Sequence, residues 1–204
     1  LIKKVKKVLE GKGAVIVDVE FNISSDYKAA KEFYVLLYEF NVGMKNYLKG
    51  RDLPYETLED IVAFNKANAD TVLKHFGQEI FLESLKATDT ERYLKEREDI
   101  RKLAKAQIDS VLEENNLDVI IGLTRNPGWL TDLENGDSRG DGGISWANGG
   151  LSAVAGYPHI TIPLDFVNNL PVGVSFLGTA WDEANLINAA YSFEQENKFF
   201  PIPK

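Results

Sequence analysis

The sequence contains no cysteine among its 204 residues, so it forms no disulfide and offers no thiolate as a nucleophile or metal ligand. Such a composition suits the cytoplasm, where thiols stay reduced. The sequence also lacks an apolar run as long as a membrane span, and a signal-peptide core near its first residue. We therefore expect a cytoplasmic protein with no membrane partner.

Basic residues are outnumbered by acidic ones. Lysine and arginine number 23 against 31 aspartates and glutamates, which gives a net charge of -8. Because binding of phosphates requires clustered basic side chains, we expect no nucleic-acid partner. The length and an apolar fraction of 44% suit one hydrophobic core, so residues 1–204 are expected to form a single domain. The chain begins at Leu1 rather than methionine, and we expect a truncated or processed product.

Hydrophobic periodicity predicts an α/β fold of helices and about four strands. Apolar residues that recur every 3.6 positions predict a helix at the start of the chain. Asn168 and Asn169 suit a hairpin turn, and Asp182 precedes a final predicted helix. Between Asp26 and Asn116 the pattern is helical, with capping spacing at Thr57/Asp60 and Thr88/Glu91. The predicted strands are residues 14–19, 118–123, 159–164 and 172–178.

Residues for catalysis are few. The sequence has two histidines, of which His75 is interpreted as complementing a helix end and His159 as structural at a strand start. No G-x-S-x-G motif presents a serine to either histidine, and Ser145 and Ser152 have no lysine or histidine near them in sequence. The glycine-rich residues 136–150 lack the G-K-[ST] ending of a phosphate-binding loop and the spacing of a calcium loop. These residues predict no hydrolytic triad.

An ordered set of motifs nevertheless resembles the C-terminal part of amidase-signature hydrolases. It includes Ala-Gly-Tyr-Pro at 155–158, Leu-Pro-Val-Gly at 170–173 and Tyr-Ser-Phe-Glu-Gln at 191–195. Upstream segments at 37–40, 46–48 and 60–65 extend the match over nearly the whole chain. Asn169 departs from the glycine that is usual at its position.

The resemblance implies a mixed β-sheet flanked by helices and an enzyme that hydrolyses a small linear amide through an acyl-enzyme, without a cofactor. The family's catalytic serine–serine–lysine group lies in a segment that precedes the region aligned with Leu1. No Gly-Ser-Ser sequence occurs in this chain, and no lysine matches the family's base. We therefore expect the isolated chain to be inactive and its partner to be a missing N-terminal half.

The same resemblance implies that the loop after the second predicted strand, and the segment from Asp137 to Ser152, shape the substrate site. The candidate substrate-binding residues are Thr124, Asn126, Gly128, Trp129 and Trp146, with Pro127 in the same loop. An alternative is that the two tryptophans are only packing residues. A second hypothesis is a naturally truncated homologue that works as a binding or interaction subunit. Because the first half of the sheet is expected to be missing, the apolar strands predict that the isolated chain self-associates, whereas a monomer would favour the interaction subunit.

Overall fold

The structure is a computed structural model that describes residues 1–21, 31–134 and 149–200. The described residues form eight helices and three strands, which confirms the predicted α/β class. In chain order the elements are α1 (Ile2–Gly11), α2 (Lys31–Leu48), α3 (Leu58–Ala67), α4 (Ala69–Val72), α5 (Glu79–Lys86), α6 (Thr90–Glu114), β1 (Ile120–Leu123), α7 (Gly150–Ala155), β2 (His159–Val167), β3 (Leu170–Leu177) and α8 (Glu183–Asn197). None of these helices is both long enough and apolar enough to cross a membrane.

Backbone contacts divide the described residues into two compact units. The sheet unit contains residues 1–21, 101–131 and 149–200, and the helical unit contains residues 31–100 and 132–134. Helix α6 contributes its first half to the helical unit and its second half to the sheet unit. The expectation of a single domain is not tested by this division and stays a prediction.

The sheet has the order β1-β3-β2, and both of its pairings are antiparallel. Strands β2 and β3 form the expected hairpin, with Val167 opposite Leu170. Its two turn residues, Asn168 and Asn169, have φ values of 50° and 63°. Positive φ at both positions is what a tight hairpin turn requires, and asparagine tolerates it better than most residues.

One face of the sheet carries the core of the sheet unit. Alternate residues of a strand point to the same face, so Ile162 and Leu164 of β2 lie with Val174 and Phe176 of β3. Helices α1 and α8 cover this face with buried side chains, including Phe193, whose ring centroid lies 6.2 Å from that of Phe176. The opposite face of β3 presents Gly173, Ser175 and Leu177, and it positions the candidate site.

The predicted strand at residues 14–19 is wrong, and the described residues contain three antiparallel strands rather than a mixed sheet of about four. This segment belongs to no ladder, although Ile16 packs against the core. Val15 is 89% exposed and Val17 is 46% exposed. A β-branched run favours a strand only when a neighbouring strand completes the ladder, and the segment has no such neighbour among the described residues.

Two helix starts in the helical unit follow from side-chain capping. Before α3, the Asp60 amide donates to the Thr57 hydroxyl at 3.2 Å, and the Thr57 amide donates to the Asp60 carboxylate at 2.9 Å. The prediction from the Thr57/Asp60 spacing is therefore confirmed. The prediction of a cap at Thr88 is wrong, because Asp89 accepts the hydrogen bond from the Arg92 amide at 2.9 Å. The shift by one residue places the cap directly before α6.

Candidate functional site

The predicted loop begins where β1 ends. The Thr124 amide donates to the Gly173 carbonyl at 3.0 Å, so Thr124 continues the β1–β3 ladder by one residue. Residues 125–131 then leave the sheet without regular secondary structure, and Asn126 and Gly128 are exposed. The sheet therefore fixes the backbone of Thr124, while the residues after it follow the surface.

The tryptophan of this loop lies at the surface. Trp129 is 41% exposed, and the guanidinium carbon of Arg125 lies 5.2 Å from the centroid of its ring. A cation at this distance from an indole face is a favourable contact. A substrate role and a packing role for Trp129 both stay predictions. The other candidate tryptophan, Trp146, lies outside the described residues, as do residues 135–148 of the glycine-rich segment.

Three hydroxyl groups meet on the second face of the sheet. The Thr124 Oγ1 atom lies 2.8 Å from Ser175 Oγ, and the Thr161 Oγ1 atom lies 3.0 Å from the same oxygen. We call Thr124, Thr161 and Ser175 the hydroxyl cluster. The register explains the contact, because Thr161 is directly opposite Ser175 and Thr124 continues β1 on the other side of β3. Ser175 is fully buried, Thr124 is half-buried and Thr161 is exposed.

Gly173 makes room for this cluster. A Cβ atom at that position would lie 2.8 Å from Thr161 Cγ2 and 3.0 Å from Thr124 Oγ1. Both distances are shorter than ordinary van der Waals contacts, so a side chain at Gly173 would push against two members of the cluster. The Leu-Pro-Val-Gly motif thus requires glycine at this position, because this face of the sheet has no room for a side chain there.

Sequence reasoning selected Thr124 but missed Thr161 and Ser175. Both lie in predicted strands, and the alternation of side chains between the two faces of a strand indicates which residues share a face. His159 and Thr161 share one face of β2, while Gly173 and Ser175 share one face of β3. The missing information was the register, which decides that Thr161 rather than Pro163 lies opposite Ser175.

The other catalytic candidates do not assemble into a triad in the described part of the chain. Ser152 is buried in α7, and its hydroxyl donates to the Gly149 carbonyl at 3.4 Å. His159 is half-buried at the start of β2. His75 is exposed, three residues beyond the end of α4. Ser145 lies outside the described residues, which also contain no group of His, Asp or Glu arranged to hold a metal ion.

A separate acidic cleft of about 410 Å³ lies in the sheet unit. Its carboxylates include Asp109, which accepts hydrogen bonds from Tyr157 Oη at 2.7 Å and from Thr179 Oγ1 at 3.2 Å. Burial raises the pKa of Tyr157, and its hydrogen bond to Asp109 raises that pKa further. Both oxygens of Asp109 are therefore used within the protein, which indicates a structural role for this network.

A groove of about 310 Å³ runs along the outer edge of β1. Its apolar lining comes from α1, from residues 15–21 and from Val119, Ile120 and Ile121. Within the described residues β1 pairs only with β3, so the groove lies beside an edge without a partner strand. Such an edge presents unpaired backbone groups to another chain. Thr124, Asn126, Gly128 and Trp129 line neither this groove nor the acidic cleft.

Comparison with known proteins gives consistent matches. Residues 1–187 match the family model described as Amidase. The chain is 28% identical to a probable amidase of Arabidopsis thaliana, over 97% of the chain and 36% of that relative. It is 31% identical to a glutamyl-tRNA(Gln) amidotransferase subunit of Lysinibacillus sphaericus, over 95% of the chain and 40% of that relative.

A solved structure extends the likeness to three dimensions. The native peptide amidase of Stenotrophomonas maltophilia matches with a TM-score of 0.84 at 34% identity. The match covers 100% of this chain and 40% of the peptide amidase. The chain thus spans about two fifths of the length of the relatives it matches.

Proposed function

We propose the following function for this chain, which belongs to the amidase family. The chain supplies scaffold and one wall of the substrate site to an enzyme that hydrolyses a linear amide bond. The observation that carries this proposal is the position of Thr124, which the motifs selected and which shares the hydroxyl cluster with Ser175 at 2.8 Å. Similarity to a peptide amidase at 34% identity favours a peptide amide as the substrate class.

Thr124 suits an amide on chemical grounds. A hydroxyl group both donates and accepts hydrogen bonds, and an amide offers a carbonyl oxygen and an N–H group. Thr124 is half-buried at the end of a strand, so the sheet holds its backbone while part of the residue stays accessible. A rigid strand end is a more exact support for a binding group than a free loop. Asn126, Gly128 and Trp129 extend the proposed wall along the loop.

The chemical step requires residues beyond those of this chain. A serine oxygen attacks the amide carbonyl carbon, the carbon–nitrogen bond breaks, and the nitrogen leaves with a proton as ammonia or an amine. Water then hydrolyses the resulting ester to a carboxylic acid and restores the serine. The serine–serine–lysine segment that performs these steps lies elsewhere in the longer protein, and the isolated chain is inactive. Added hydroxylamine should divert the acyl group to a hydroxamate, whereas direct attack by water on the amide would yield none.

The binding role of Thr124 is tested by kinetics of the whole protein encoded by the gene, with a peptide amide as substrate. Thr124→Val keeps the side-chain shape and removes the hydroxyl. We expect KM to rise about fivefold with kcat within about twofold, as for a lost binding contact. The matched control is Thr71→Val, which removes a hydroxyl that donates to the Asn68 carbonyl at 2.9 Å in the helical unit. Equal KM values for the two variants would refute the assignment.

A second candidate function is that of an interaction subunit. It is favoured by the 31% identity to a protein whose name denotes one subunit of an amidotransferase. On this reading the chain binds another polypeptide and contributes no substrate contact. The kinetic test separates the two functions, because an interaction subunit would tolerate Thr124→Val without a change in KM.

Self-association of the isolated chain belongs to the same proposal. Val15 and Val17 are 89% and 46% exposed beside β1, whose second edge has no partner strand in the described part of the chain. An exposed strand edge next to an apolar groove favours pairing with a second copy. We propose that the N-terminal half implied by the resemblance covers this groove.

A further inference from the structure

The buried serine of the hydroxyl cluster makes no contact with the substrate in the function proposed for Thr124. Ser175 lies two residues before the end of β3 with 0% of its surface exposed, so it cannot itself contact a substrate. A buried hydroxyl is costly unless it is hydrogen-bonded, and Ser175 lies within hydrogen-bond distance of two threonines. Its neighbours on β3, Val174 and Phe176, point to the opposite face and belong to the apolar core.

We propose that Ser175 is a positioning residue that holds the Thr124 hydroxyl in the orientation that binds the substrate amide. A threonine side chain has three staggered positions about χ1, and a hydrogen bond to the hydroxyl favours one of them. The 2.8 Å contact with Ser175 Oγ fixes Thr124 Oγ1 over the sheet rather than toward the exposed residues of the loop. This proposal rests on the proposed function of Thr124.

The contact also leaves Thr124 able to serve either end of an amide. When Thr124 donates its proton to Ser175, both of its lone pairs stay available to accept from a substrate N–H group. When it accepts from Ser175, its own proton is available to a substrate carbonyl. Either atom of the pair can be the donor, so the orientation is fixed while the hydrogen-bond direction stays free. Thr161 holds Ser175 from the other side at 3.0 Å.

The test uses the whole protein encoded by the gene and a peptide amide. Ser175→Ala removes the hydroxyl and nothing else. We expect KM to rise about fivefold, which corresponds to about 1 kcal/mol, while kcat stays within about twofold. The matched control is Ser84→Ala, another fully buried serine, whose hydroxyl donates to the Ile80 carbonyl at 2.9 Å in α5. An equal KM in the two variants would overturn the proposal.

A double-mutant cycle distinguishes positioning from a general structural effect. If Ser175 acts only through Thr124, then Ser175→Ala should not raise KM further in a Thr124→Val background. Additive effects of the two substitutions would overturn the proposal. Ser175→Cys, which retains a weak donor, should give an intermediate KM, and it replaces the alanine variant in the cycle if that variant does not fold.

A structural readout separates this proposal from the proposed function. The χ1 angle of Thr124, measured in crystals of the wild-type and Ser175→Ala proteins, should be single in the first and changed or mixed in the second. If the wild-type protein hydrolyses no amide, the proposed function fails and the χ1 comparison alone decides the role of Ser175. An unchanged, single χ1 in Ser175→Ala would overturn the positioning role whether or not the enzyme is active.

Discussion

Replacing Gly173 with alanine should destabilise the protein, and the structure gives the size of the effect. The new Cβ atom would lie 2.8 Å from Thr161 Cγ2, 3.0 Å from Thr124 Oγ1 and 3.3 Å from the Ile162 carbonyl oxygen. Overpacking by one methyl group costs about 1–3 kcal/mol. Alanine is intrinsically better than glycine inside a strand by about 0.5–1 kcal/mol. The middle of the first range exceeds that of the second by about 1 kcal/mol, which is the net loss of stability that we expect.

Thermal unfolding followed by circular dichroism measures this loss, which we expect to lower Tm by about 4 °C for a protein of this size. The matched control is Gly43→Ala in α2, where an added Cβ would meet nothing within 4 Å. This control should raise Tm by about 2 °C, because alanine is the better residue inside a helix. The same substitution therefore has opposite signs at the two positions. A Gly173→Ala protein as stable as the wild type would refute the close packing of the hydroxyl cluster.

Three further predictions concern other parts of the chain. Hydrogen bonds from the Glu56 amide, the Thr57 hydroxyl and the Thr57 amide lower the pKa of Asp60, so its capping contribution should persist above the ordinary pKa of aspartate. It should be lost as the pH falls through the lowered pKa, and an NMR titration of Asp60 that gives an ordinary pKa would contradict this. Trp129→Ala in the whole protein should change the preference among amides more than kcat on a small amide, and an unchanged substrate profile would remove Trp129 from the site. Light scattering over a wide dilution range should show that the isolated chain self-associates. Val17→Lys should weaken this association more than the control Val42→Lys, which changes an equally exposed valine of α2. A wild-type chain that stays monomeric at high concentration would contradict the prediction.

Local sequence patterns predicted the elements that depend only on residues close together in the sequence. Asn168 and Asn169 predicted a hairpin because both turn positions need positive φ. Thr57 and Asp60 predicted a helix start because the cap involves only neighbouring residues. Residues 14–19 have equally clear strand composition, yet they form no ladder in the described structure. A strand depends on a neighbour that local sequence does not specify.

The candidate site shows the same limit. Thr124 was found because motifs of a related family mark its loop. Ser175 lies 51 residues away in sequence, and its contact with Thr124 follows from the β1–β3 register. Alternation along β3 separates the face of Ser175 from that of Val174 and Phe176, but only the register, which depends on the pairing of whole strands, places Ser175 beside Thr124. The Leu-Pro-Val-Gly motif includes Gly173, but the sequence does not explain why glycine is needed there. The structure does, because it shows which atoms an added Cβ would contact.

We propose that this chain provides one wall of the substrate site of an amidase and that the catalytic serine lies outside it. Ammonia release from a peptide amide, measured for the whole protein encoded by the gene and for the purified chain alone, tests it most directly. We expect steady turnover by the whole protein and none by the chain at equal concentration. Ammonia release by the repurified chain would show that its own residues catalyse the reaction. A whole protein without turnover on any peptide amide would contradict the proposed activity.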